Sequence, residues 1–163
     1  VEVDRSVVGA STGVSRVVVE RGPVARFADA VRADDPVYRD ASAALAAGFP
    51  AVPAPFTFPV ALEHWGRLPE MQEGPPVADN PVARVLAPLL AHGGVVLHGE
   101  EEIFYYRPIY VGDVLRGEGV VADVYERESG GRRMTFVVVE TRWSDERTGE
   151  PVVTVRMNVL HRS

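Results

Sequence analysis

From Gly94 to its end this chain is a succession of long β-branched and aromatic runs broken by glycine turns, and a sheet built that way must bury one face against something apolar. The runs predict four strands, Val95–Tyr106, Asp113–Glu126, Arg132–Trp143 and Pro151–Arg162. In the last of them Val153, Val155, Met157 and Val159 alternate with Thr154, Arg156 and Asn158, which gives one buried and one wet face. Ser129-Gly130-Gly131 and Arg147-Thr148-Gly149 read as hairpin turns in which glycine supplies the positive φ. Consecutive hairpins make an antiparallel meander.

The first half reads helical after one strand, Ser15–Glu20. Gly22-Pro23 opens a helix with Val24, Phe27, Ala28 and Val31 on one face, and Asp40 caps a short alanine-rich helix ending at Gly48. The segment FTFPVALEHWG, with Thr57 as N-cap, Pro59 in the first turn and Gly66 as stop, is apolar nearly all round, and such helices are buried. Leu68–Asp79 reads as a surface loop. Asn80-Pro81 starts a last helix with Val82, Val85, Leu86 and Leu89 on one side, kinked or ended by Pro88. There is no internal repeat. The sum is an α+β domain spanning residues 1–163, a curved antiparallel sheet wrapped around a central helix.

Composition removes several function classes. At 163 residues the chain can bury a core without staples, and it contains no Cys for disulfides, thiolate metal sites or a cysteine nucleophile. All 17 basic residues are Arg, so Schiff-base chemistry and a P-loop lysine are excluded. A net charge of -6 argues against a nucleic-acid partner. No apolar stretch is long enough to span a membrane, and the start VEVDRSVVG has no secretory pattern, so a cytoplasmic protein is expected.

Three segments in order, RFADAVRADDPVYRD at 26–40, PAPFTFPVAL at 53–62 and LHGEEEIFYYRPIYVGD at 97–113, resemble the MaoC-like dehydratases, in particular their N-terminal type, the FAS1-like dehydratase domain. With the strand pattern that follows, the resemblance covers nearly the whole chain. It is similar to the small subunits of (3R)-hydroxyacyl-thioester dehydratases. It implies the hot-dog fold, with FTFPVALEHW as the central helix, and pairing with a second hot-dog subunit, the same chain or another. The substrate it implies is an acyl-CoA or acyl-carrier-protein thioester. The reaction is loss of water from a (3R)-hydroxyacyl thioester to give the trans-2-enoyl thioester, or the reverse, with no cofactor or metal. An Asp and a His hold the water, and backbone N–H groups at the start of the central helix polarise the carbonyl.

The family's hydratase pattern, Asp-x-Asn-Pro-x-His, laid on Pro36, puts Ala33 in place of the Asp, Asp35 in place of the Asn and Tyr38 in place of the His. Ala33 moves no proton, and the Tyr38 phenol donates a hydrogen bond but is a poor base near neutral pH. No catalytic residue is therefore assigned. The resemblance assigns substrate contact to Asp35, Tyr38, Phe56, Thr57 and Phe58, the last three where the family's carbonyl-binding segment falls, with Phe58 beside the acyl tunnel.

Other residues carry two readings each. Asp34-Asp35-Pro36 is a turn or a displaced catalytic carboxylate. Strand alternation puts His98 with Phe104 and Tyr106, as a structural residue or a substrate contact. His64 reads as packing or interface, His92 and His161 as solvated, and no His pair has a zinc spacing. Glu100, Glu101 and Glu102 read as a solvated edge, and Arg107 as a surface residue or a phosphate contact. The readings left open are a dehydratase half served by a catalytic partner, a self-sufficient hydratase or thioesterase with a non-standard site, and an acyl-CoA-binding module.

Overall fold

The computed structural model describes residues 2–73 and 79–163. Five strands, β1 (Ser11–Val18), β2 (Val95–Tyr105), β3 (Val114–Ser129), β4 (Arg132–Asp145) and β5 (Pro151–Arg162), form one antiparallel sheet in the order β1-β3-β4-β5-β2. The first strand starts earlier than the β-branched run suggests, because Ser11, Gly13 and Val14 pair with Val120, Gly119 and Glu118 of β3. This is the hot-dog fold, in the α+β class.

The helices are α1 (Arg21–Ala30), α2 (Ala41–Ala46), α3 (Leu62–Trp65) and α4 (Pro81–Leu90). Local chemistry sets their starts. The Asp40 carboxylate accepts from the Ala43 N–H at 2.8 Å, and Asn80 Oδ1 accepts from Val82 and Ala83 at 2.9 and 3.4 Å. Helix α4 runs through Pro88 to Leu90 instead of stopping there. In α1 the buried face is Val24, Phe27 and Ala28; Val31 falls one residue past the helix end and is exposed.

The central segment differs from the expected continuous buried helix. Phe58–Ala61 is a 3-10 turn, followed by the single α-turn α3. Thr57 stands at its N-cap without a side-chain bond, and Pro59 follows Phe58 directly, which favours the tighter turn. Phe58, Pro59, Ala61 and Leu62 are buried, whereas Val60, Glu63, His64 and Trp65 are exposed. The loop expected over Leu68–Asp79 contains a 3-10 turn at Pro69–Met71; residues 74–78 lie outside the described residues.

One face of the sheet carries two separate apolar cores. The first gathers Phe27, Phe58, Leu62, Leu115, Trp143 and Val153 around the central segment. Phe27 meets Phe58 edge-on at 5.3 Å between centroids and Trp65 at 6.0 Å. The second packs Val7, Val85, Leu86 and Leu89 on Val121, Val124 and Val137.

Arg107 closes the corner after β2. Its guanidinium donates to Asp113 at 2.7 Å and to Asp145 at 3.1 Å, both largely buried. Burial alone would push the Asp145 carboxyl up, but the N–H groups of Arg147 and Thr148 and the charges of Arg147 and Arg107 hold it below its ordinary value. Arg107 is thus a structural ion-pair residue, already committed on both sides of its fork.

Candidate functional site

Between the two cores lies a cleft of about 850 Å³, within the usual size range of small-molecule sites. Its floor is the middle of the sheet, Gly117 and Gly119 on β3, Val139 and Thr141 on β4, Val155 and Met157 on β5. Pro59, Val60, Glu63 and His64 of the central segment wall it on one side, and Asn80 and Val82 at the start of α4 on the other. Gly117 and Gly119 put no side chain of their own on this face, and Trp143 and Thr12 lean over them.

The predicted contact residues fall into three places. Asp35 caps the 3-10 turn Pro36–Tyr38, accepting from the Val37 N–H at 3.0 Å, so the turn reading of Asp34-Asp35-Pro36 describes its local role. Tyr38 is half-buried behind it, and Arg39 holds the loop by bonds to Asp29, Ala33 O and Asp35 O. None of these lines the cleft.

Phe56 is 67% exposed and packs edge-on against Tyr105 of β2 at 5.6 Å, while the Tyr105 hydroxyl donates to Phe56 O at 2.8 Å. Thr57 beside it is exposed. Phe58 is 2% exposed inside the first core, and it is a packing residue, not a wall of the cleft.

The expected carbonyl-polarising donors are rearranged as well. The Phe58 N–H donates to Pro55 O at 2.8 Å and the Val60 N–H to Thr57 O at 3.4 Å, while Pro59 has none to give. Among the described residues, the N–H groups of Phe56 and Thr57 make no backbone bond and remain for a ligand.

Strand β2 carries two titratable groups whose setting departs from expectation. A bulge between His98 and Glu100 shifts the register, so His98 pairs with Val159 and shares the face of Glu101, Ile103 and Tyr105 instead of that of Phe104 and Tyr106. Glu101 lines the cleft, and burial pushes its carboxyl above its ordinary value, with the nearby His98 opposing. Tyr105 is likewise raised by burial and then by Glu101. The middle of the Glu100–Glu102 run is therefore an inward group. Period-two alternation from Ile103 and Tyr105 reaches Glu101 without crossing the bulge; it is His98, before the bulge, that alternation misplaces, and Gly99 is the signal of it.

His161 is another correction, since it is 4% exposed and its Nε2 pairs with Gly93 O at 2.8 Å, fastening the turn that starts β2. His64 lies exposed at the cleft mouth and His92 is exposed, bonded to Pro88 O at 2.8 Å. Among the described residues no helix is long and apolar enough to cross a membrane.

The two sheet edges are unlike. Along β1 the Gln72 amide accepts from Arg16 N–H at 3.0 Å and donates to Arg16 O at 2.8 Å, and Val18 N–H reaches Gly66 O at 2.9 Å, so that edge is covered. Among the described residues strand β2 pairs on one side only, with β5; it exposes Val95, Val96, Leu97 and Phe104 (52%), and Tyr106 just past its end is 62% exposed. A long open edge with apolar side chains invites another strand.

Comparison with known proteins agrees with this architecture. The family described as FAS1-like, dehydratase domain region matches residues 6–155. A protein of Saccharopolyspora erythraea called a UPF0336 protein is 32% identical over 144 residues, covering 88% of this chain and 81% of its own length. Among solved structures, the truncated HadBC (3R-hydroxyacyl-ACP dehydratase) complex of Mycobacterium tuberculosis superposes with a TM-score of 0.65 at 21% identity, over 94% of this chain and 96% of that one. A MaoC-like dehydratase superposes with a TM-score of 0.65 at 26% identity, over 96% of this chain and 42% of that one.

Proposed function

The chain belongs to the FAS1-like dehydratase domain family, of the MaoC-like hot-dog type, and we propose that it is the substrate-shaping half of a (3R)-hydroxyacyl-thioester dehydratase or hydratase. The carrying observation is that Ala33 and Tyr38 stand where the family's acid–base pair is expected, in a chain that nonetheless keeps a ligand-sized cleft. In this reading residues 1–163 act as one hot-dog domain in the cytoplasm, without cofactor or metal.

A second hot-dog subunit docks along the open β2 edge and supplies the Asp and His. The thioester head, from CoA or a carrier protein, then sits at that junction. Phe56 and Thr57 offer backbone N–H groups to its carbonyl there, with Asp35 and Tyr38 on the loop that replaces the catalytic one. The acyl chain runs into the cleft beneath the central segment, where Phe58 supports the wall from behind.

One observation favours a second reading. Glu101 and His98 share one face of β2, and burial pushes the Glu101 carboxyl above its ordinary value, the direction an acid–base carboxyl needs. A self-sufficient hydratase would draw on that pair. Light scattering and acyl-CoA titration of the purified chain test the proposal. It expects a dimer or larger assembly that binds trans-2-enoyl-CoA with little turnover. Turnover by the pure chain that is lost in His98→Ala overturns it, and a monodisperse monomer at micromolar concentration shows that the β2 edge does not pair with a second copy of the chain.

A further inference from the structure

Two alternate glycines on β3 face the cleft, and they are glycine for different reasons. Neither has a positive φ, so the backbone does not demand glycine at either place. At Gly117 a Cβ would stand 2.6 to 2.8 Å from ring atoms of Trp143, a rigid core side chain, and packing accounts for the residue. At Gly119 a Cβ would run into Thr12 Oγ1, so the Thr12 hydroxyl holds its place, with Thr141 Oγ1 in ordinary contact at 3.4 Å. A bulge in β1 between Ser11 and Gly13 leans Thr12 over this point, and strand pairing sets Thr141 opposite Gly119.

Both threonines line the cleft, and no hydrogen bond ties either hydroxyl to another described residue. Around them the floor is Val139, Val155 and Met157. A plain alkyl chain laid here would drive off the water on both hydroxyls and leave them unpaired, which weakens binding. An oxygen on the chain would pair with them instead. A hydroxyl group is both donor and acceptor, so two of them suit a ligand hydroxyl or ketone equally.

Resting on the acyl-thioester reading above, we propose that the cleft selects acyl thioesters whose chain carries a hydroxyl or ketone beyond the β-carbon, held by Thr12 and Thr141 over Gly119.

Calorimetric titration of the full chain in its native assembly with dodecanoyl-CoA, and with the isomeric derivatives of it monohydroxylated at carbons 5 through 12, tests this. At least one isomer should bind about ten-fold tighter than dodecanoyl-CoA. Thr141→Val and Thr12→Val, near-isosteric and β-branched, should each cut that preference to about two-fold or less while dodecanoyl-CoA binds as well as before or better. Equal affinity for dodecanoyl-CoA and every isomer, or a preference that survives both substitutions, overturns the proposal and leaves the acyl-thioester reading standing. Failure of any CoA ester to bind overturns both.

Discussion

Phe56 and Phe58 are two residues apart and chemically identical, yet truncating them should have opposite consequences. Phe58 is 2% exposed, edge-on to Phe27 at 5.3 Å and inclined to Trp65 at 6.4 Å. Its replacement by Ala leaves a cavity in the first core and forfeits aromatic contacts, a loss of about 3–5 kcal/mol. Against a total stability of about 5–15 kcal/mol for a domain, that is a large fraction. At about 2–4 °C per kcal/mol for a chain of this size, the melting temperature should fall by about 6–20 °C.

Phe56 is 67% exposed and rests edge-on against Tyr105, so Phe56→Ala should cost about 1 kcal/mol or less. Urea melts followed by circular dichroism at equal protein concentration measure both. A Phe58→Ala variant within about 1 kcal/mol of wild type would refute the placement of this ring in the core. By the same reasoning Phe58→Asp should unfold the chain instead of simply emptying an acyl site.

The raised Glu101 carboxyl holds its proton to higher pH in the folded than in the unfolded chain, so its contribution to stability is present below the ordinary Glu range of about 4.3 and is lost as pH rises through the raised value. Thermal melts should therefore show Glu101→Gln more stable than wild type at pH 8 and no better at pH 3.5; equal effects at both contradict the burial. Arg107→Met strands the Asp113 and Asp145 carboxylates and should cost about 2–4 kcal/mol by chemical denaturation, whereas a loss under 1 kcal/mol would make the pair a surface ornament. On the open edge, Leu97→Pro should lower the assembly state by light scattering, and Gln72→Ala, on the covered edge, should not.

How much of this was legible beforehand follows from what each signal depends on. Strand β5 runs over the predicted residues because alternation of Val153, Val155 and Met157 with polar neighbours depends only on the strand's own period. The caps Asp40 and Asn80 act on the next three residues and are equally local. The apolar run Phe56–Trp65 suggests one buried helix, but Phe58-Pro59 favours a 3-10 start and the helix ends after one α-turn at Gly66. The bulge beside Gly99 inverts the face of His98, upstream of it, whereas the charge run Glu100–Glu102 hides that Glu101 shares the inward face of Ile103 and Tyr105. Long-range partners were out of reach altogether: Gln72 bonds the backbone of Arg16, 56 residues away, and His161 bonds Gly93 O, 68 away. The cleft itself depends on two cores failing to meet across Gly117 and Gly119, which no local pattern reports.

The central claim, that this chain shapes the acyl site while another subunit supplies the acid–base pair, is tested most directly by the initial rate of hydration of a short trans-2-enoyl-CoA. The rate is measured with the pure chain, with a hot-dog subunit that carries the intact Asp-x-Asn-Pro-x-His pattern, and with the two together. A positioned acid or base contributes a factor of about 10²–10⁴, so with Ala33 and Tyr38 in their places the chain alone should be slower than the pair by at least about a hundredfold. The rate of the pair should collapse when the partner's histidine is replaced. A pure chain that turns over as fast as the pair, and loses that rate in His98→Ala or Glu101→Gln, would contradict the account.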